Sequence, residues 1–398
     1  MMKNLLFGLV PVITFIMTSC AKGKGTEVSQ PPVDTTTVHQ VSQYLTKARE
    51  THSFITANLL TSYNSYRVNT TTDANSVFEW YSISQIYADA AMVGIGDSTY
   101  LPYMNKTFKW MNNMWDKTDP NGGYFAFAHL DGSASGGTKY VDDNSLTGMV
   151  YLEAYDVTTG ADKDAYLNKA EACANWLIKS GLWDSSLGGG FWWNTEKPVK
   201  PTQTNGLALQ LFLRLYKITG QSVYHDWAVS VNTWLSNKMY DSNTGLFIWQ
   251  YDSTGKKYTQ NFTYDNAIMV EAYLLYAAIM DDPGYLAKAQ ALGNAMNKTL
   301  WDGAHNVYVF NTGDLRVTPA WCGWGSQAMI KLYEADHNPS WLNYARGNID
   351  AINVVLRDPN SKGYYQFAAL DGAGRYTNME GVDQAWMQRV QALLSKYK

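Results

Sequence analysis

Asp142 and Asp143 stand side by side in the run Tyr140-Val141-Asp142-Asp143-Asn144, directly ahead of an apolar stretch. Two carboxyls at one place suit glycoside hydrolysis, in which one acid attacks while the other protonates the departing oxygen. Neighbouring residues on a helix point about 100° apart, so both reach one cleft only from a helix terminus that faces it. There the helix N-terminus favours one acid as the ionised nucleophile. Burial and the charge beside it raise the pKa of the other, which fits it as general acid. Asp and Asn at a helix start also cap free backbone N–H groups, and spacing by itself leaves capping and catalysis both open.

Similar residues open five further helical stretches: Trp80-Tyr81, Gln203-Thr204-Asn205, Thr263-Tyr264-Asp265-Asn266, Trp321-Cys322-Gly323-Trp324 and Glu380-Gly381-Val382-Asp383-Gln384. Tyr and Trp offer flat faces for sugars, and acids and amides bind hydroxyls. Trp80, Tyr81, Asn205, Tyr264, Asp265, Asn266, Trp321, Trp324, Asp383 and Gln384 are therefore candidate substrate ligands, with capping or core packing as the alternative for each. Trp192 and Trp193 join them from a glycine-rich loop at 188–194 (GGGFWWN), where at most one ring is buried and the other is free to stack on sugar.

The elements that carry these residues repeat. The run 124–132 (YFAFAHLDG) recurs at 364–372 (YYQFAALDG), 240 residues later. A Tyr-led helix ending in Trp or Tyr and Asp starts at Tyr166, Tyr224 and Tyr285, which makes the repeat about 60 residues long. One set of helices, near 40–66, 100–115, 164–182, 222–239, 285–300 and 340–357, has a polar face. A second set, near 75–94, 142–158, 204–218, 264–280, 321–335 and 381–396, is apolar on most faces and must be buried. Six such pairs predict an all-α fold, an (α/α)6 barrel whose inner helices all start at one rim, with short hairpins confined to loops such as 188–194.

Composition narrows the function. With 46% hydrophobic residues the chain is not disordered, and 31 Lys+Arg against 35 Asp+Glu leave no basic excess for nucleic acid. The 15 Trp and 28 Tyr then point to sugars. Six scattered histidines show no paired metal-ligand spacing, so neither a metal nor another cofactor is expected. A length prior of roughly 150 residues per domain suggests two or three domains; the repeat merges 37–398 into a single catalytic one.

Residues 1–20 read as a signal peptide, too short to span a membrane comfortably. They end in Met17-Thr18-Ser19-Cys20, which resembles a bacterial lipobox with Cys20 as the lipidated residue. Residues 21–36 form a flexible tether. Lys22 and Lys24 follow the cysteine where surface-sorted lipoproteins tend to carry acids. The expectation is an outer-membrane lipoprotein facing the periplasm, a monomer that meets the membrane only through its lipid.

The stretches 140–160 (YVDDNSLTGMVYLEAYDVTTG), 188–194, 204–220 (TNGLALQLFLRLYKITG) and 262–266 (FTYDN), in this order, resemble glycoside hydrolase family 76, the endo-α-1,6-mannanases. The resemblance runs over most of residues 70–390. It implies an (α/α)6 barrel that cleaves α-1,6-mannosidic bonds in mannan or mannooligosaccharides with retention, Asp142 as nucleophile and Asp143 as acid/base. The family usually has Trp a few residues after the pair, where this chain has Leu146-Thr147-Gly148. Two alternatives remain: another (α/α)6 sugar enzyme, such as an unsaturated-glucuronyl hydrolase, or a non-catalytic glycan-binding lipoprotein. The first would call for basic residues at the inner-helix starts, which have none.

Overall fold

The computed structural model describes residues 42–71 and 75–397. The signal peptide, the tether and Cys20 lie outside them. Twelve α-helices occur among the described residues: α1 (Gln43–Asn58), α2 (Glu79–Gly94), α3 (Leu101–Met111), α4 (Val141–Val157), α5 (Gly160–Lys179), α6 (Thr202–Thr219), α7 (Ser222–Trp234), α8 (Thr263–Ile279), α9 (Pro283–Thr299), α10 (Pro319–Asp336), α11 (Pro339–Leu356) and α12 (Gly381–Leu394).

The even-numbered helices form the inner ring. Each packs on the next, and α12 packs back on α2, so the barrel is closed. They are apolar on most faces because neighbours cover most faces: every residue of α12 is buried, as is every residue of α8 from Thr263 to Tyr273. Glycine lets them approach. A Cβ on Gly148 of α4 would stand 2.8 Å from Leu211 of α6, and one on Gly206 of α6 would stand 2.7 Å from Ile268 of α8.

The sequence repeat couples each outer helix to the inner helix that follows it. In space the outer helix packs chiefly on the inner helix before it: α3 on α2, α5 on α4, and so on to α11 on α10. The cause is connection length. Only Thr158 and Thr159 separate α4 from α5, and only Gly220 and Gln221 separate α6 from α7. Such short links force antiparallel neighbours. Gly220 makes the turn with φ 69°, its N–H closing on the Tyr216 carbonyl. This pairing leaves α1 for α12. Tyr44 of α1 also donates to Asp350 of α11 at 3.1 Å.

The long connections gather at the other end, over the starts of the inner helices. Short antiparallel pairs brace them, among them Val77–Phe78 with Phe127–Ala128 and Val199–Pro201 with Gln250–Asp252. The 188–194 loop is not the hairpin its glycines suggest. Single bridges, Trp183 to Phe191 and Tyr140 to Asn194, tie it to its neighbours. Positive φ at Gly188, Gly189 and Gly190 coils the backbone away from a strand.

Candidate active site

The inner-helix starts surround a cavity of about 450 Å3, within the roughly 300–1,000 Å3 of small-molecule sites. Asp142 and Asp143, in the first turn of α4, both line it. No side chain caps this helix, so the two acids are not serving as its N-cap. The loop ahead of α6 fixes the helix start instead: Val141 N–H donates to the Trp193 carbonyl at 2.8 Å.

The two carboxyls differ in surroundings. Asp142 Oδ2 accepts the Trp193 indole N–H at 2.9 Å and the Gln203 amide at 3.2 Å. Burial pushes its pKa up to about 6, against the pull of these bonds and of first-turn backbone N–H groups. Asp143 is pushed much further above the usual carboxylate range, by burial and then by the charge of Asp142. Asp142 is thus the first of the pair to ionise.

Two more carboxyls adjoin them. Asp265 of α8 is fully buried; burial raises its pKa, against the pull of the Gln203 backbone N–H and with the added push of the Asp142 charge. It interacts with Asp142 without lining the cavity. Glu79, the first residue of α2, is also fully buried; Thr147 donates to its Oε1 at 2.8 Å. Glu79 escapes a reading of the sequence because a Glu at a helix start is routine dipole compensation. Its one signal is that the helix it opens is apolar on most faces.

Aromatic rings wall the cavity. Trp321 packs on Trp80 (ring centroids 5.1 Å apart), on Tyr264 (4.6 Å) and on Trp324 (6.4 Å). Trp80, Trp193, Tyr264, Trp321 and Trp324 all line it, as does Leu146 of the Leu146-Thr147-Gly148 stretch that stands where the resembled family usually has a Trp. Across Trp80 and Trp321 lies a second cavity of about 270 Å3, which holds Tyr81 and Asp383. There Tyr81 donates to Glu380 at 2.5 Å, and one Asp383 oxygen accepts the Ala320 N–H at 3.0 Å.

Besides Asp265, also an expected substrate ligand, four expected ligands face elsewhere. Trp192 is buried, donating to Asp184 at 2.6 Å with the Lys200 ammonium 4.6 Å from its ring centroid. Asn205, Asn266 and Gln384 are fully buried and hold backbone. The Asn205 amide takes the Phe191 N–H at 2.7 Å and donates to the carbonyls of Phe191 and Pro201. Asn266 does the same with Phe247 and Phe262, and Gln384 with Tyr364 and Glu380. Asn144 repeats the pattern with Tyr124 and Tyr140. In the fifth pair this position is Cys322, and Asn348 of α11 supplies the amide to Tyr308 and to the Cys322 carbonyl. Each amide satisfies buried loop backbone that would otherwise lack partners.

Two lysines, also missed in the sequence, anchor the loops. Lys139 Nζ meets Asp116 at 2.6 Å, Asp119 at 2.9 Å and the Gly122 carbonyl at 2.7 Å. Lys200 Nζ meets Asp184 at 2.9 Å and the Ser186 and Gly189 carbonyls at 2.9 and 2.8 Å. Each stands just before an inner helix, α4 or α6.

Comparison with known proteins adds the following. The profile of glycosyl hydrolase family 76 matches residues 47–314. A mannan endo-1,6-alpha-mannosidase of Candida glabrata is 29% identical over 156 residues, covering 34% of this chain and 34% of that protein. The chain thus spans about a third of the length of the curated relatives it matches. A family 76 alpha-mannanase of Bacteroides thetaiotaomicron has the same fold, with a TM-score of 0.77 and 21% identity over 89% of this chain and 96% of that one. An inactive variant of an alpha-1,6-mannanase of Salegentibacter sp., with two adjacent Asp→Asn substitutions and α-1,6-mannotriose bound, gives a TM-score of 0.69 and 17% identity over 89% and 98% of the two chains.

Proposed function

The chain belongs to glycosyl hydrolase family 76, and on that premise we propose that it cleaves α-1,6-mannosidic bonds in mannan or mannooligosaccharides by a retaining mechanism. The observation that carries this reading is a pair of adjacent, differently surrounded acids in an aromatic-walled cavity.

Asp142, held by Trp193 and Gln203, attacks the anomeric carbon. Asp143 gives its proton to the glycosidic oxygen as that bond breaks. The glycosyl–Asp142 ester then yields to a water whose proton Asp143 takes, and two inversions amount to retention. Trp193, Tyr264, Trp321 and Trp324 stack on the sugars. No Lys, Arg or His lines the main cavity among the described residues, which favours a neutral sugar over a uronate beside the two acids; Arg316 lines only the second cavity. The second cavity takes a neighbouring mannosyl unit, with Tyr81, Glu380 and Asp383 as hydroxyl ligands.

Digestion of linear α-1,6-mannan tests the proposal. Shorter mannooligosaccharides with an initially α-configured new reducing end, followed by NMR, are expected. Binding without product would favour the glycan-binding alternative, and an initial β-anomer would rule out retention.

The exported form is part of the same reading: a lipid on Cys20, the outer membrane, and a monomer facing the periplasm. The residues just before Cys20 and Lys22 and Lys24 after it support this. Incorporation of labelled palmitate that is lost in Cys20→Ala tests the anchor. Digestion of the protein by protease on intact cells would place it outside instead.

A further inference from the structure

The run 364–372, the later copy of the repeated loop, has no part in the hydrolysis just described. The earlier copy puts Phe127 on the wall of the main cavity. Phe367, the matching residue, lines the second cavity and also a third, of about 720 Å3, and Arg316 likewise lines both. Trp80 and Trp321 already join the main cavity to the second, so the three form one groove leading away from Asp142 and Asp143. Two segments build its far end. The connection into α10 carries Asp314, Leu315 and Arg316, and the connection into α12 carries Phe367. Backbone hydrogen bonds between Val317 and Ala368, at 2.8 and 3.2 Å, hold the two together. Arg316 is set by three contacts. Its Nε pairs with Asp314 at 3.1 Å, and its guanidinium carbon stands 4.4 Å from the Phe310 ring centroid and 5.2 Å from that of Phe367. No ion pair or hydrogen bond takes its two terminal nitrogens among the described residues. Phe367 stacks in turn on Tyr376, with ring planes 5° apart and centroids at 5.0 Å. Leu315 lines the third cavity and is 56% exposed.

Resting on the hydrolase reading above, we propose that the third cavity is a distal subsite of the same groove, where Arg316, Phe367 and Leu315 bind the neutral hexosyl unit that follows the one in the second cavity. A pyranose offers C–H faces that lie on rings and alkyl groups, and hydroxyls at its edge. Phe367 and Leu315 suit the faces. The terminal N–H groups of Arg316 form a planar fork that spans two adjacent hydroxyl oxygens. The rings beneath it hold that fork in place before the sugar arrives, so little side-chain freedom is lost on binding. Charge selects the ligand: Asp314 and Asp371 line the cavity with Arg316, and His305 meets Asp302 at 2.9 Å, so no net positive field awaits a phosphate or a uronate. Continuity selects the occupant, because a chain that runs past the acids, Trp321 and the second cavity reaches Arg316 next. Binding energy from such a remote unit raises the turnover of long chains over short ones.

Chain length is the test, because α-1,6-mannotriose fills only the main and second cavities whereas mannohexaose reaches the third. The ratio of kcat/KM on mannohexaose to that on mannotriose should fall about tenfold in Arg316→Ala. It should fall by less in Leu315→Asp, a change at an exposed position that leaves the fold alone. An unchanged ratio in Arg316→Ala, or an equal loss on both substrates, overturns the proposal. If Arg316→Ala does not fold, an unchanged ratio in Leu315→Asp decides against it. In parallel, titration calorimetry on Asp143→Asn protein, with and without Arg316→Ala, should show the same drop in the ratio of the two affinities. Tighter binding of a phosphorylated mannohexaose than of the neutral one would overturn the choice of a neutral unit. The calorimetry needs no turnover, so length-dependent binding through Arg316 in a wild type that cleaves no mannan would refute the hydrolase reading alone. Cleavage with the ratio unaltered would refute the distal subsite alone.

Discussion

Trp193 holds Asp142 twice over: its indole N–H donates to the carboxylate at 2.9 Å, and its carbonyl takes the Val141 N–H that opens the same helix at 2.8 Å. The backbone contact survives substitution, whereas the indole bond does not. Trp193→Phe should therefore leave the fold intact and cost about 1.5–3 kcal/mol of transition-state stabilisation, roughly a ten- to hundredfold fall in kcat/KM. Steady-state kinetics beside a melting curve measure it. A fall in stability with kcat/KM unchanged would contradict the role given to the indole.

The two acids should be separable by leaving group. Asp142→Asn and Asp143→Asn are each expected to abolish mannan hydrolysis. On an aryl α-mannoside with a good leaving group, Asp143→Asn should regain activity, because no proton is needed for departure, and azide should then give an α-mannosyl azide. Asp142→Asn should gain nothing by that route. Rescue of the wrong variant would exchange the roles.

Activity should rise with pH through about 6 as Asp142 ionises. It should fall again at higher pH, where Asp143 loses its proton. Trp193→Phe should carry the lower limb upward, since the lost bond favours the Asp142 anion. A pH–rate profile with both limbs below pH 5 would be incompatible with this site.

Stability should have the opposite slope over much of that range. Burial raises the pKa of Glu79, Asp143, Asp265 and Asp383 in the folded chain. Unfolded, such groups titrate near about 4. The native state therefore binds more protons between that value and the raised folded ones, and stability declines as pH climbs through the interval. The melting temperature should be higher at pH 5 than at pH 8, and Asp265→Asn should reduce the difference. Equal melting temperatures would mean that these carboxyls stay neutral in neither state or in both.

Asn205→Ala and Asn266→Ala should act on the fold. Each removes an amide that satisfies three backbone groups. The expected loss is about 2–4 kcal/mol of stability. Calorimetry should show it, with KM of the remaining folded enzyme little altered. A raised KM at full stability would restore these residues to the sugar.

The ring of helices was legible because a 60-residue repeat and two kinds of helical face are properties of sequence order alone. The acids of α4 were legible because an adjacent pair exceeds what one helix cap needs. Trp193 and Trp192 are the instructive case: the loop allows one buried ring and one in the cavity, but which is which depends on the fold around them. Asn205, Asn266 and Gln384 misled because the fourth position of an inner helix meets the incoming loop, and an amide serves backbone there as well as it would serve a hydroxyl. Glu79 and Lys139 were silent, since each has meaning only through partners far off in the chain, Thr147 for one and Asp116 and Asp119 for the other.

The packing of α1 on α12 gives the barrel a seam. Tyr44 and Asp350, which meet there, are 306 positions apart, as are no two neighbours joined by a short turn. During synthesis every other outer helix finds its inner partner almost at once, while α1 waits for the last helix to leave the ribosome. Until then the hoop is unlatched, and closing it costs the entropy of a very long loop.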